Sequence, residues 1–164
     1  MRSDGDSGFT LVEFLTAMLL AGVLMVLGMF AMRGYLLASR ESGTATDVRS
    51  VLRLAAEESL SEGRTYCVSF TSTTWSLYKS DCSVSTNKVN GPWRVQDAQI
   101  SLTNINFPAP ASPVVGQTTA CGTAGACAYF YPRGTALAGS LQVTRSGKTY
   151  TITVEGLTAR VSMV

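Results

Sequence analysis

Residues 14–32 form a run of 19 residues without a single charge, in which Thr16 is the only hydroxyl. As an α-helix the run spans about 28 Å, close to the roughly 30 Å hydrocarbon core of a bilayer. Its apolar residues fall on every face instead of one stripe, which suits lipid or a fully protein-lined interior. We read it as a membrane segment. A cleavable secretory signal has a basic start, a shorter apolar stretch and then a small-residue site. Here Arg2 stands against Asp4 and Asp6 in the leader, and the run ends in Arg33-Gly34-Tyr35-Leu36-Leu37 without such a site.

The rest of the chain is ordinary or polar. Its 164 residues allow one domain, or a small domain with an appendage. With 46% apolar residues and a net charge of +2, it is neither disordered, nor collagen-like, nor a strongly basic nucleic-acid protein. Histidine is absent. That removes Ser-His-Asp and Cys-His nucleophilic pairs, His-ligated zinc and the commonest base near neutral pH. The 11 acidic residues show no paired grouping. No enzyme activity, catalytic residue, metal site or cofactor is expected.

Glu13 stands one residue before the apolar run. A carboxylate at a membrane helix end either complements the helix dipole or marks a functional site with a partner to be named. The surrounding string, Gly8-Phe9-Thr10-Leu11-Val12-Glu13 followed by about twenty apolar residues, resembles the class III signal of type IV pilins and type II secretion pseudopilins. The resemblance implies that a prepilin peptidase cuts between Gly8 and Phe9, that the new Phe9 amine is N-methylated, and that Glu13 serves assembly. A terminal ammonium and a nearby carboxylate in a low-dielectric setting favour pairing with the opposite charge of a neighbouring subunit. The helix would occupy the membrane before assembly and the filament core afterwards.

Two signals disagree on orientation. Arg2 precedes the span, whereas Arg33, Arg40 and Arg49 follow it. The positive-inside tendency alone would put the carboxyl side in the cytoplasm. The resemblance requires the reverse: a single-pass membrane protein with an extracytoplasmic head, carried later on a cell-surface pilus or periplasmic pseudopilus.

Beyond the run, Val48, Val51, Leu52, Ala55, Ala56 and Leu60 recur at three- and four-residue steps, with Asp47, Arg49, Arg53, Glu57 and Glu58 mainly on the other face. Gly63 is a suitable stop. One helix over residues 9–62 would be about 80 Å long. After Gly63, alternating runs read as strands: Tyr66, Val68 and Phe70; Trp75 and Leu77; Ile100 and Leu102; Tyr150, Ile152 and Val154. Arg145-Ser146-Gly147-Lys148 reads as a hairpin turn, and residues 106–116, with three prolines, as a loop. The chain thus divides into residues 1–8 (leader), 9–32 (transmembrane and assembly helix), 33–63 (amphipathic helix) and 64–164 (β-rich head of about six to eight strands). The fold class is α+β, a long N-terminal helix with an antiparallel sheet head.

Cys67, Cys82, Cys121 and Cys127 all lie in the head. Four cysteines allow three pairings, of which sequence proximity favours Cys67–Cys82 and Cys121–Cys127. Zinc is disfavoured by the absence of C-x-x-C and His. Disulfides would place the head outside the cytoplasm.

The carboxyl half carries a finer resemblance. Phe130-Tyr131-Pro132-Arg133-Gly134, then Leu141-Gln142-Val143, Tyr150-Thr151-Ile152-Thr153-Val154 and Gly156-Leu157-Thr158-Ala159-Arg160-Val161 are similar to the end of GspH/FimT-type minor pilins. The helix-end phrase Val51-Leu52-Arg53-Leu54-Ala55-Ala56-Glu57-Glu58 is similar as well. Departures are Arg133 where an acid is frequent and Ala159 where Gly is frequent. This implies a low-copy subunit near a filament tip, in a type IV pilus, competence pilus or type II secretion pseudopilus. Its partners would be the prepilin peptidase, the inner (cytoplasmic) membrane and other pilin or pseudopilin subunits. DNA is a further candidate partner, because some relatives bind it through basic residues near the carboxyl terminus; here these are Arg145, Lys148 and Arg160. Removing Arg2, Asp4 and Asp6 from 13 basic and 11 acidic residues leaves a side-chain charge of +3, without a basic block. The competing expectation is a singly anchored surface adhesin that never polymerises.

Overall fold

The computed structural model describes residues 10–82, 85–108, 126–145 and 148–164. Helix α1 covers Leu11–Ser61. The strands that follow are β1 (Tyr66–Phe70), β2 (Thr74–Lys79), β3 (Lys88–Arg94), β4 (Ser101–Asn106), β5 (Cys127–Tyr131), β6 (Thr135–Ala136), β7 (Gly139–Arg145), β8 (Lys148–Val154) and β9 (Val161–Met163). That is nine strands among the described residues, more than the alternation suggests. The two-residue β6 is too short to show a period, and β3 lies in a stretch with Gly91 and Pro92 that does not read as a strand. The chain divides into two units, Met1–Ala38 and Ser39–Val164.

In the second unit the helix presents a continuous buried stripe. Glu41, Thr44, Ala45, Val48, Val51, Leu52, Ala55 and Ser59 are all buried, at the three- and four-residue spacing of one helix face. The stripe differs from its sequence expectation at both ends. It begins two turns earlier, at Glu41, because the head covers small and polar residues there as well as aliphatic ones. Leu60, expected inside, is 55% exposed and lies at the rim beside the β5–β6 turn. The helix then stops as expected. The Glu62 amide donates to the Glu58 carbonyl at 3.0 Å, and Gly63 takes φ +61°, a conformation that glycine adopts without Cβ strain.

Nine antiparallel strands form two sheets, in the orders β3-β2-β1-β5-β6 and β4-β7-β8-β9. One core joins helix and sheets. Val48, Leu52 and Ala55 share it with Tyr66, Val68, Phe70, Trp75 and Phe130 of the first sheet, and with Leu102, Leu141, Val143, Ile152 and Val154 of the second. Period-two alternation sorts the side chains. In the second sheet the other face carries Ser101, Thr103, Gln142 and Thr144; the Ser101 and Thr103 hydroxyls both reach the Thr144 hydroxyl across the strands, and Gln142 accepts from Asn104. In the first sheet β1, β2 and β5 bury residues on both faces, whereas the edge strand β3 is largely exposed. Behind this sheet, Cys67, Cys82, Cys127 and Tyr129 form a separate apolar cluster, with Tyr78, Tyr131 and Leu137 packed against it. Cys67 stands opposite both Tyr78 and Tyr129, so the disulfide region grows from the middle strand.

Two local conformations bear on the resemblance. Ala159 sits at φ +49°, where glycine is favoured. Gly139, the first residue of β7, is required by space: an added Cβ would lie 2.6 Å from the Asn106 carbonyl oxygen and inside contact distance of the Phe107 ring. Gly139→Ala is therefore expected to lower stability by about 1–3 kcal/mol, as overpacking does in a closed core. Thermal unfolding of the full chain in detergent, followed by tryptophan fluorescence, checks this. Glu41 gives an expectation of opposite sign. It is fully buried, and neither carboxylate oxygen has a hydrogen-bond partner. Since an unpaired polar group costs on the order of 1–3 kcal/mol to bury, Glu41→Met should raise the same unfolding midpoint.

Candidate functional site

The first unit offers a helix surface with no core behind it. Its most apolar 18-residue window has a mean hydropathy of 2.4, and none of that window is buried. By length and composition the helix is able to cross a membrane. Leu11, Leu20, Val23, Met25 and Leu27 are all exposed, and around Gly22, Gly28 and Gly34 nothing approaches within 4 Å of where a Cβ would stand. These are broad apolar faces interrupted by small residues, which permits close approach of another helix.

Glu13 lies in the first turn of this helix, on its exposed surface. Its amide donates to the Thr10 hydroxyl oxygen at 3.3 Å, the Phe14 amide donates to the Thr10 carbonyl at 3.2 Å, and the Thr16 hydroxyl donates to the Glu13 carbonyl at 2.9 Å. Thr10 is thus the N-cap, and Thr10-Leu11-Val12-Glu13 has the spacing of a capping box. Sequence reasoning singled out Glu13 and passed over Thr10, although the Ser/Thr-x-x-Glu pattern was present. The acid sits where the helix's unpaired amides favour negative charge. Gly8 and Phe9, the expected cleavage and methylation site, lie outside the described residues.

The head residues are distributed as follows. Cys67 and Cys82 are joined in a disulfide, with Cα atoms 5.9 Å apart. Cys127 is disulfide-bonded too; Cys121 lies outside the described residues. The three basic candidates do not form one patch. Arg145 and Lys148 are register partners at one end of the β7–β8 hairpin. Arg160 precedes β9 at the other end of β8, where Val154 pairs with Val161. Six residues of strand, roughly 20 Å, separate the two positions. One Arg145 guanidinium nitrogen, Nη1, is also buried.

What holds the head on its helix is polar as well as apolar. Arg40 donates to Asp97 at 3.0 Å, and Gln96 donates to Asp47 at 3.2 Å, so the β3–β4 connection is fixed along one flank of the helix. The Asp97 carboxyl is held below its ordinary value chiefly by the Gln99 amide, with Arg40 adding to the effect. At the helix's far end Glu62 pairs with Lys79, and Lys79 lies 6.0 Å from the centre of the Tyr66 ring. Lys79 first, and Tyr66 second, lower the Glu62 carboxyl. Burial, then the Glu62 contact, pushes the Tyr66 hydroxyl up to about 12. Tyr131 is shifted upward by burial alone. The pairs Arg40–Asp97, Asp47–Gln96 and Glu62–Lys79 are not visible from spacing, since their partners are 17 to 57 residues apart.

A long N-terminal helix, apolar and uncovered in its first part and roofed by an antiparallel head in its second, defines the pilin class of structural subunits. The type II transport protein GspH family matches residues 44–158, and the chain belongs to that family. The fold is similar to that of the minor pseudopilin EpsH from the type 2 secretion system of Vibrio cholerae (TM-score 0.51, 12% identity, covering 76% of this chain and 96% of that one). It is also similar to the type IV minor pilin FimU of Pseudomonas aeruginosa (TM-score 0.49, 12% identity, covering 75% and 87%). Among curated proteins no relative matches. The chain is a pilin- or pseudopilin-type subunit and not an enzyme.

Acid should loosen the polar attachments. Both carboxyls titrate lower when folded than when unfolded, so the folded chain binds fewer protons. Their stabilisation is present above the ordinary values of 4.5 for Glu62 and 3.8 for Asp97, and is lost as pH falls through the lowered folded values. The unfolding midpoint should drop on acidification from pH 5 to about pH 3. The double variant Glu62→Gln, Asp97→Asn should show a shallower drop; an identical slope would count against these contacts.

Proposed function

We propose that this chain is a minor subunit of a type IV pilus, competence pilus or type II secretion pseudopilus, inserted through its N-terminal helix. The observation that carries the reading is the combination in one element: a 51-residue helix whose first part exposes apolar residues on every face, with Glu13 in the first turn. A surface of that kind is stable in lipid before assembly and among other apolar helices afterwards, since neighbours replace the acyl chains. Prepilin peptidase cuts between Gly8 and Phe9, and the Phe9 amine is then methylated. The Glu13 carboxylate pairs with the terminal ammonium of an adjacent subunit, which rejects helices entering out of register, because an unpaired charge there is strongly penalised. The disulfide-bonded head faces an oxidising, extracytoplasmic space. Membership of the GspH family supports the filament reading, within which we place the subunit at low copy near the tip.

A permanent anchor for an adhesin would need the same apolar helix but no processing at Gly8–Phe9. DNA capture receives no support from the arrangement of Arg145, Lys148 and Arg160, which lie at two ends of one sheet.

The test is the intact mass and amino-terminal sequence of the protein recovered from its own cells. The expected chain begins at methylated Phe9; one that retains Met1 would support the simple anchor. Glu13→Ala is expected to be processed normally, remain in the membrane and fall by about tenfold or more in the sheared or purified filament fraction, the scale of one lost buried partner. Equal incorporation would remove Glu13 from the assembly step.

A further inference from the structure

Two residues of β3, Gly91 and Pro92, stand opposite the single Ser76 of β2, because Trp75 pairs with Trp93 and Leu77 with Asn90. This is a β-bulge, and Gly91 takes φ +96° at its first position. The backbones are close there: a Cβ on Gly91 would stand 3.1 Å from the Ser76 Cα and from the Trp75 carbonyl oxygen. In a regular ladder a strand amide points at the neighbouring strand or at solvent. The Gly91 amide instead donates to Oδ1 of Asn90, the residue just before it, at 2.8 Å. The peptide nitrogen and the carboxamide of one Asn-Gly pair are therefore already in contact. Asn90 is exposed, so water reaches it, and Gly91 has no side chain to obstruct its nitrogen. Among the four asparagines of the chain this is the one followed by glycine. Asn87, Asn104 and Asn106 precede Lys88, Ile105 and Phe107, and the Asn104 carboxamide is engaged with Gln142.

We propose that Asn90 is a self-modifying site, at which the folded chain converts its own asparagine to aspartate and isoaspartate. The Gly91 nitrogen gives its proton to solvent base and attacks Asn90 Cγ. The N–Cγ bond forms, the Cγ–Nδ2 bond breaks, and the amide leaves as ammonia with a proton taken from water. Water then opens the cyclic imide at either carbonyl. One opening leaves aspartate, and the other leaves isoaspartate, in which the main chain runs through the former side chain. Nothing is oxidised or reduced, and water is the sole co-reactant. The contact at the bulge replaces the conformational search that limits ring closure in a free chain. Each event puts a carboxylate on the edge strand between Lys88 and Arg94, two exposed cations that make no ion pair among the described residues. The isoaspartate branch also adds a backbone carbon where β3 already carries an extra residue. Because the step needs nothing but water, its product accumulates with the age of the molecule. The proposal concerns the head alone and is independent of the filament reading.

The test incubates the full chain in heavy-oxygen water at mildly alkaline pH, folded in detergent in one sample and unfolded in guanidinium in another. Digestion follows in ordinary water, so that deamidation during handling carries no heavy oxygen. The peptide containing Asn90 is expected to gain about 3 Da, from the change of amide to acid plus the heavier isotope, and to accept a methyl group from an isoaspartyl methyltransferase. In the folded chain this gain should proceed within about tenfold of the unfolded rate, since the reacting groups already touch. An amide exposed only by global unfolding would react about a thousandfold or more slowly. Asn90→Gln, whose longer side chain closes a larger ring, should abolish the mass gain and the methyl acceptance while leaving the unfolding midpoint in place. A folded rate more than about tenfold below the unfolded one overturns the proposal. So does equal labelling of Asn87, Asn104 or Asn106 in the folded chain, or methyl acceptance that persists in Asn90→Gln.

Discussion

A single helix has to satisfy two different surroundings, and the rest of the molecule follows from that. Over residues 17–29 its side chains are apolar or glycine on every face and have no core to enter. From Ala45 onward they are mainly apolar or small on the buried face and mainly polar or charged on the other, with Glu41 and Thr44 buried at the start of the covered stretch. The change is abrupt because the solvent changes: lipid and neighbouring helices accept every face, whereas a head can cover only one. Val48, Leu52 and Ala55 are where this constraint meets the sheets, and they belong to the same core as residues from both.

The two sheets answer this in different ways. The second behaves as an ordinary one-sided sheet, with aliphatic residues toward the helix and a layer of hydroxyl and amide side chains outward. The first is covered on both sides along its central strands, by the helix core in front and by the cysteine–tyrosine cluster behind. A head of this size has little interior, and a crosslink on the face away from the helix supports the sheet where the core cannot reach. The polar attachments at Asp97 and Glu62 then fix the head near both ends of the helix segment it covers, which apolar packing, being non-directional, does not do by itself.

At its far end the covered helix reaches the limit of its packing. Leu60 follows the helical period of the core, yet it is left at the rim beside the β5–β6 turn, 55% exposed. Ala159 occupies a backbone conformation that favours glycine, in the turn that displays Leu157. The basic residues that look like a group in the last twenty positions are divided between the two ends of β8, because an antiparallel hairpin brings its strand ends together and pushes the turn and the following strand apart.

The membrane-competent run, the position of Glu13, the helix stop at Gly63 and the β character of the head were all legible in the sequence. Each depends on local chemistry: hydropathy per residue, one charge in an apolar context, the backbone freedom of glycine, and alternation of period two. Glu13 and its cap partner Thr10 are three residues apart, so even that hydrogen bond was encoded in a short pattern. The division into two sheets, the short β6, the burial of Glu41, the exposure of Leu60 and the pairing of Arg40 with Asp97 were decided only by tertiary structure. They depend on which elements meet across tens of residues. A one-dimensional pattern records what each residue prefers but not which neighbour the closed chain will supply.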